Sequence, residues 1–119
     1  MTNDPAETVS CLFCKIVAGE IPADVVASTE TVVAFRDVNP QAPTHVLVVP
    51  RSHYRDAAAL ADGEPETVAE LVLVARDVAR DDGLEDYRLV FNTGAEAGQT
   101  VFHTHLHVLG GRSMTWPPG

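Results

Sequence analysis

Positive charge is scarce in this chain. Its 119 residues include eight lysines and arginines against 17 aspartates and glutamates, which gives a formal net charge of −9 at pH 7. Nucleic acids and anionic membranes attract proteins through clustered positive charge, so neither is expected as a partner. An anionic ligand would have to be held by local groups, such as backbone N–H groups, an imidazole or a single arginine.

Cysteines and long apolar runs are also rare. The two cysteines, Cys11 and Cys14, form a single C-x-x-C pair. In a small chain such a pair suggests a metal or redox role in a reducing compartment rather than a structural disulfide. No apolar run reaches the roughly 20 residues that span a bilayer, and residues 1–10 are polar, unlike a signal or transit peptide. We therefore expect a cytoplasmic protein.

The length and composition indicate one globular domain. A hydrophobic fraction of 45% and a charged fraction of 21% argue against disorder, and a chain of this size can bury a core without disulfides. We interpret residues 1–10 as a flexible N-terminal arm. Residues 11–119, including a proline-containing tail, form the predicted single domain.

Histidine is concentrated in one segment, where His103, His105 and His107 occupy alternate positions. If the segment is a strand, all three side chains lie on one face and the intervening residues face the core. Converging imidazoles can ligate a transition metal, or they can divide the roles of nucleophile, orienter and proton donor. A strand with an incidental histidine face is disfavoured, because three of the five histidines alternate.

The apolar patterns predict an α+β fold. A short helix precedes Gly19, and a long helix begins near Pro65 and ends before Gly83. Strands are predicted over residues 25–27, 31–35, 44–50, 87–92 and the histidine segment. This order favours a mainly antiparallel sheet.

A resemblance to a known family rests on three blocks of sequence, residues 11–22, 34–50 and 98–112, and on the ending Trp116-Pro117-Pro118-Gly119. In this order they resemble the histidine triad (HIT) family, and within it the HINT-like branch of purine nucleoside phosphoramidases. The resemblance implies a HIT-like sheet of about five mainly antiparallel strands with one long and one short helix. It also implies that the sheet continues across a homodimer.

The resemblance further implies a chemistry, the hydrolysis of purine nucleoside 5′-phosphoramidates such as AMP–amine conjugates. His105 matches the nucleophile that forms a covalent nucleotidyl-histidine, His45 belongs to the same histidine network, and His107 contacts the phosphate. No organic cofactor is implied. On the residues alone, His45 would be interpreted as a buried core histidine.

The remaining implied contacts surround the substrate. The loop of phosphate and leaving-group contacts is Gly98, Gln99 and Thr100, where relatives often have serine at position 100. The other implied contacts are Asp37 at the ribose, Asn92 at the phosphate, Phe13, Ile16, Ile21, Phe35 and Val38 around the base, and Trp116 near the partner protomer's site. Without the resemblance, Asp37 is a plain loop residue and the apolar side chains fit a core equally well. Relatives often have histidine at position 115, where this chain has threonine, so selectivity for the leaving group is open.

A structural zinc site is also implied. C-x-x-C supplies two ligands and zinc needs four; relatives that this sequence resembles carry Cys, Cys, His and His at the positions of Cys11, Cys14, His53 and His103. Two buried thiols without a metal are the alternative.

Other functions remain open at this point. The nearest enzymatic alternative is a dinucleoside polyphosphate hydrolase. The three alternating histidines could instead hold a catalytic or sensory metal, although no carboxylate or water-positioning group is identifiable nearby in the sequence. A non-catalytic nucleotide-binding or zinc-binding interaction protein is the third alternative.

Overall fold

The computed structural model describes residues 10–119. The helices are α1 (Leu12–Val17), α2 (Ala57–Gly63) and α3 (Pro65–Asp81), and a 3-10 turn covers Ala95–Ala97. The strands are β1 (Val25–Ser28), β2 (Val32–Arg36), β3 (Thr44–Pro50), β4 (Tyr87–Val90) and β5 (Leu106–Gly110). The predicted arm lies outside the described residues, apart from Ser10. Within residues 10–119, no helix combines the length and the apolar character needed to cross a membrane.

The strands form one antiparallel sheet in the order β1-β2-β3-β5-β4. This arrangement confirms the predicted α+β class and five-stranded sheet. All seven residues of β3 are buried, because β2 and β5 pair with its two edges while other elements cover both faces. Its β-branched valines suit such a central strand.

The two faces of the sheet have different covers. Helix α3 packs on one face, against a buried cluster that includes Val32, Val46, Val48, Leu106 and Val108. The alternate residues of the same strands face the other side, where Phe35, Leu47 and Val49 pack with Phe13 of α1. The period-2 alternation of β2 and β3 therefore separates a wholly structural face from the face that carries the candidate site.

Helix α2 was not predicted as a separate element, so residues 10–119 form three helices instead of one long and one short helix. The Asp56 carboxylate caps α2 by accepting a hydrogen bond from the Ala59 N–H at 2.9 Å. Glu64 then leaves the helical conformation, with φ −142° and ψ 70°. The residue before a proline avoids the α region, so Pro65 separates α2 from α3.

The histidine segment is not the continuous strand that the alternation predicts. Strand β5 begins only at Leu106, which pairs with Val48. A longer ladder would set Thr104 opposite Pro50, and proline has no N–H to donate. Thr104 instead donates from its backbone and its hydroxyl to the Tyr54 carbonyl, at 2.8 and 3.1 Å. Only His107 is therefore in the strand, and the prediction of three histidines on one strand face was wrong.

Candidate active site

A cavity of about 380 Å³ opens on the α1 face of the sheet. Many of the predicted substrate contacts line it: Phe13, Ile16, Ile21, Phe35, Asp37, Val38, Gly98, Thr100, His105 and His107. The apolar side chains lie on α1, the loop after it, β2 and the residues just after β2. The polar ones lie on the 94–100 loop and at or just before β5, and Asp37 follows β2. An elongated ligand with one apolar and one anionic end would fit such a lining.

The ring of His105 has a fixed orientation and tautomer. Its Nδ1 lies 2.7 Å from the His103 carbonyl oxygen, and because a carbonyl can only accept, Nδ1 carries the hydrogen. Nε2 therefore holds a lone pair. Burial lowers the pKa of His105, so the ring is neutral at pH 7, and the edge of the Phe13 ring packs on it with centroids 5.0 Å apart. A neutral imidazole with a free Nε2 is a competent nucleophile.

A second chain of hydrogen bonds fixes His107. The Gln41 backbone N–H donates to Nδ1 of His45 at 3.0 Å, which leaves the hydrogen of the neutral His45 ring on Nε2. That atom lies 2.9 Å from Nδ1 of His107. The pKa of His45 is lowered by burial, which favours the neutral ring. His107 accepts at Nδ1, and its own hydrogen is thereby placed on Nε2. We call Gln41 N–H, His45 and His107 the relay.

The outer end of the relay lacks a protein partner. Nε2 of His107 is buried and has no hydrogen-bond partner among the described residues, although His107 lines the cavity. Desolvation, with the nearby rings of His105 and His45, lowers the pKa of His107 to about 4. A buried N–H without an acceptor is destabilising, so this atom is suited to donate to a ligand oxygen.

Asp37 lies beside the relay. One carboxylate oxygen is 3.4 Å from Nε2 of His45, and the other accepts the Asn39 N–H at 2.8 Å. The carboxylate is thus held at the cavity wall, where it can accept hydrogen bonds from hydroxyl groups of a ligand.

Gln99 supports the loop and offers no amide hydrogen to a ligand. Its Oε1 accepts the Gly94 N–H at 2.9 Å, and its Nε2 donates to the carbonyls of Arg55 and Val101 at 2.8 and 3.1 Å. The side chain is only 3% exposed. The predicted contact between this side chain and substrate is therefore replaced by a scaffolding role. The hydroxyl-bearing Thr100 next to it is exposed and lines the cavity.

Two further predicted contacts lie outside the cavity lining. Asn92 approaches the loop, with its side-chain nitrogen 3.8 Å from the position of a Cβ built on Gly98, a residue at φ +96°. Trp116 is 83% exposed, on a tail that Arg88 holds by donating to the Thr115 carbonyl at 3.0 Å. Within one chain, Trp116 therefore contributes nothing to the cavity.

The four predicted metal ligands meet at one point, which we call the metal cluster: Cys11, Cys14, His53 and His103. Nδ1 of His103 lies 3.4 Å from the Cys11 sulfur, 3.5 Å from the Cys14 sulfur and 3.2 Å from Nδ1 of His53. Zinc bond lengths of about 2.0–2.1 Å to nitrogen and about 2.3 Å to sulfur give tetrahedral edges of about 3.3–3.8 Å. The donor set therefore fits a four-coordinate zinc.

Hydrogen bonding directs a lone pair of His103 into the metal cluster. Its Nε2 donates to the Pro50 carbonyl at 2.8 Å, so Nδ1 carries no hydrogen, as a metal ligand requires. Burial and the adjacent Cys11 raise the pKa of Cys14 to about 12. Without a cation the thiol of Cys14 keeps its proton, and metal binding would release it.

Sequence reasoning missed the groups that set these tautomers. Gln41 acts through its backbone N–H, Pro50 through its carbonyl and Thr104 by anchoring the segment between His103 and His105. Every residue has a backbone carbonyl and every residue except proline has an N–H, so residue type gives only weak signals for these hydrogen bonds. The proline at position 50 and the hydroxyl at 104 were the available signals.

The comparisons with known proteins agree with this geometry. The HIT domain model matches residues 18–114. This chain belongs to the HIT domain family. An uncharacterized HIT-like protein of Synechocystis is 50% identical over 109 residues, which cover 91% of this chain and 96% of that protein. A protein of Zea mays called a 14 kDa zinc-binding protein is 50% identical over 113 residues, with coverage of 91% and 87%.

Solved HIT structures share the fold. A HIT family hydrolase from Legionella pneumophila superposes with a TM-score of 0.88 at 50% identity, covering 92% of this chain and all of that one. A histidine triad protein from Clostridium difficile superposes with a TM-score of 0.85 at 36% identity, with coverage of 96% and 97%.

Proposed function

We propose that this HIT domain protein hydrolyses purine nucleoside 5′-phosphoramidates, such as AMP–amine conjugates. One observation carries the proposal: the free Nε2 lone pair of His105 and the unpaired Nε2–H of His107 belong to two residues that line the same cavity. The first can attack phosphorus, and the second can donate to a non-bridging oxygen on which charge develops.

The cavity lining supports a nucleotide as ligand. Phe13, Ile21 and Phe35 offer apolar surface to a base, and the Asp37 carboxylate can accept hydrogen bonds from the ribose hydroxyls. The phosphate then lies beside His105, His107 and Thr100. The names of solved relatives, which include HIT family hydrolases and a hypothetical histidine triad nucleotide-binding protein, agree with this class of ligand and reaction.

The reaction proceeds in two displacements. Nε2 of His105 forms a bond to phosphorus as the phosphorus–nitrogen bond breaks, and the leaving amine takes up a proton from solvent. In the resulting nucleotidyl-imidazolium, Nδ1–H of His105 still donates its hydrogen bond to the His103 carbonyl. Water then attacks phosphorus, releases the nucleoside monophosphate and a proton, and restores neutral His105. The hydroxyl of Thr100, which lines the same cavity, can donate a hydrogen bond to the leaving nitrogen.

Zinc at the metal cluster completes the proposal as a structural ion. When bound, zinc links α1 to the segments that carry His53 and His103, and it takes no part in the displacement. The zinc-binding name of the Zea mays relative agrees with this assignment. A homodimer that brings Trp116 to the partner's cavity is also part of the proposal.

The decisive experiment measures turnover of an AMP phosphoramidate by the wild type, His105→Ala and His105→Asn. The asparagine amide can still donate to the His103 carbonyl but has no nucleophilic nitrogen, so it separates chemistry from packing. We expect both variants to lose at least about a thousandfold in kcat/KM. Mass spectrometry of the quenched wild type should find AMP attached to His105. Equal rates for the three proteins would overturn the proposal.

The same assays test the alternative functions. Faster cleavage of a dinucleoside polyphosphate than of the phosphoramidate would favour the polyphosphate hydrolase. Nucleotide binding without turnover by the wild type would favour an interaction protein. Loss of turnover on chelation, with the zinc of the metal cluster still bound, would favour a catalytic metal at the histidines.

A further inference from the structure

Two contacts orient the His105 ring, and both come from residues at the metal cluster. The carbonyl that accepts the Nδ1–H of His105 belongs to His103, whose side chain is one of the four predicted ligands. The Phe13 ring stands nearly perpendicular to the His105 ring, with centroids 5.0 Å apart. Phe13 lies between the ligands Cys11 and Cys14 in the sequence. The groups that hold the nucleophile are therefore joined covalently to the groups that would hold a metal.

His103 is the shorter of the two connections between the metal cluster and His105. Its side chain is completely buried, and its ring spans from the two sulfurs to the Pro50 carbonyl. The peptide that follows is also held, because the Thr104 N–H donates to the Tyr54 carbonyl at 2.8 Å. A change in the position of the His103 ring would thus strain the peptide whose oxygen fixes the tautomer of His105.

Helix α1 is the longer connection, and it depends more on the metal. It has six residues, of which only Phe13 is buried, and isolated helices need about 12–15 residues to be stable. The Cys14 sulfur lies 3.3 Å from Nδ1 of His53 and 3.5 Å from Nδ1 of His103. Thiols form only weak hydrogen bonds, whereas metal–thiolate bonds would attach the start of α1 firmly to both histidines.

We propose that the metal cluster positions the nucleophile. With a metal bound, the His103 carbonyl and the Phe13 ring hold His105 in one tautomer and one orientation; without it, both contacts loosen. This inference rests on the proposed function and adds a control of its rate. The four ligands are positioning residues that act through His105, and the metal takes no part in bond making.

The test compares the zinc-loaded wild type with the same protein after a chelator has removed the zinc. Nitrogen-15 NMR should show a single Nδ1–H tautomer of His105 with zinc and a mixture of tautomers without it. We expect kcat for an AMP phosphoramidate to fall about 10- to 100-fold, while KM changes less than about threefold. Added zinc should restore both the tautomer and kcat. Cobalt should restore them equally, because positioning needs a tetrahedral ion rather than a particular Lewis acid.

Two variants separate the metal from the groups that it positions. Cys14→Ser should reproduce the zinc-free wild type, and added zinc should not rescue it. Phe13→Leu keeps all four ligands and should keep its zinc, yet it removes the ring that packs on His105. We expect its kcat at saturating substrate to fall about three- to tenfold, the effect of a less exactly placed nucleophile. Because this variant retains the metal, it tests the proposal even if zinc-free protein does not fold.

Val74→Ala is the matched control for a loss of stability. Val74 lies in the buried cluster under α3, on the opposite face of the sheet, so its truncation lowers the thermal midpoint without altering the metal cluster. The variant should keep a single His105 tautomer and the zinc content of the wild type. Its kcat should stay within about twofold of the wild type, as expected for a distant site.

The outcomes separate this proposal from the proposed function. A single His105 tautomer and an unchanged kcat in folded zinc-free protein would overturn the positioning role and leave the phosphoramidase intact, as would an unchanged kcat in Phe13→Leu. A mixture of tautomers in Val74→Ala would also overturn it, by showing a general effect of stability. A rate that differs between zinc and cobalt while the tautomer stays single would assign the metal to the chemistry instead. No turnover by the zinc-loaded wild type would overturn the proposed function, and the His105 tautomer, which needs no substrate, would still decide the positioning role.

Discussion

The metal cluster and the relay are both groups of closely spaced side chains that could ligate a metal. Their hydrogen bonding favours a metal cation in the first and an ordered chain of hydrogen bonds in the second. In each, the potential ligand atoms lie within 4.8 Å of one another, Asp37 joining His45 and His107 in the second. Proximity therefore does not distinguish them. The distinction depends on whether a backbone acceptor or a backbone donor hydrogen-bonds the outer nitrogen of a histidine ring, which is the nitrogen that points away from the other side chains of the group.

In the metal cluster, the backbone group is an acceptor. The Pro50 carbonyl accepts a hydrogen bond from Nε2–H of His103, so Nδ1 of the same ring presents a lone pair to the two sulfurs. The sulfur and nitrogen atoms of the cluster lie 3.2–3.5 Å apart, close enough for one cation to bind them all once the thiols lose their protons. This arrangement of hydrogen bonds favours a bound metal.

In the relay, the backbone group is a donor. The Gln41 N–H occupies the lone pair of His45 Nδ1, and the hydrogen of His45 therefore points at His107. A metal bound at Nε2 of His45 would have to displace the hydrogen from that nitrogen to Nδ1. There the hydrogen would face the Gln41 N–H, which is also a donor. Hydrogen bonding thus favours a proton-ordering chain over a metal site, although the residue types would suit either.

The largest expected effect is on the metal cluster itself. Replacement of His103 by Ala removes a ligand whose lone pair points inward, and zinc affinity should fall more than about a hundredfold. The thermal midpoint should fall with it, by roughly 10 °C, because binding energy at such a site stabilises the fold. Zinc per chain after purification and calorimetry measure both.

A second variant and a cobalt titration control this result. Cys14→Ser keeps the fold of α1 and should lose zinc similarly. Cobalt should bind the wild type at one equivalent per chain with thiolate charge-transfer bands. Full zinc content in His103→Ala, or a second tight cobalt ion in the relay, would contradict the distinction between the two groups.

A smaller effect is expected in the relay. Asparagine at position 45 can still accept the Gln41 N–H but cannot reach His107, so His45→Asn removes only the hydrogen bond that sets the His107 tautomer. We expect kcat for the AMP phosphoramidate to fall about 10- to 100-fold, as for other groups that orient a functional histidine, with KM less changed. Nitrogen-15 NMR should show one His107 tautomer in the wild type and a mixture in the variant.

Zinc content serves as the control for His45→Asn, and it should stay at the wild-type level. An unchanged kcat with a single His107 tautomer would show that the relay does not depend on His45.

The sequence predicted much of the fold, because the spacing of apolar residues along the chain follows which faces of the helices and strands are buried. The valines of β3 and the 3.6-residue period of α3 indicate buried surfaces in any context. The start of β5 was predicted wrongly, since alternation continues through His103 and His105 although pairing does not. What ends the ladder is Pro50, a residue on another strand.

The candidate site was predictable to the level of residue type but not of proton position. Cys11, Cys14, His53 and His103 could be grouped through the family resemblance, as could His45, His105 and His107. Which nitrogen of each ring carries the hydrogen depends on backbone groups of Gln41, Pro50 and His103. Those groups are placed by tertiary structure alone, and Gln99, predicted to contact substrate, is drawn into the scaffold for the same reason.

The smallest expected effect is the pH dependence of stability that the relay contributes. The folded pKa of His107 is about 4, below its usual value of 6.5, because desolvation and the adjacent His105 and His45 disfavour its charged form, an effect that Asp37 only partly opposes. Between these pH values the unfolded chain binds more protons than the folded one, so stability is full above about pH 6.5 and decreases as the pH falls toward 4.

His107→Gln should therefore show a shallower loss of thermal midpoint between pH 7 and 5 than the wild type. Because acid would also release zinc from the metal cluster, the comparison is made at equal zinc content, and His107→Gln retains the whole metal cluster. Parallel slopes for the two proteins would mean that His107 is charged in the fold, and that the chain of donors from Gln41 does not set its state.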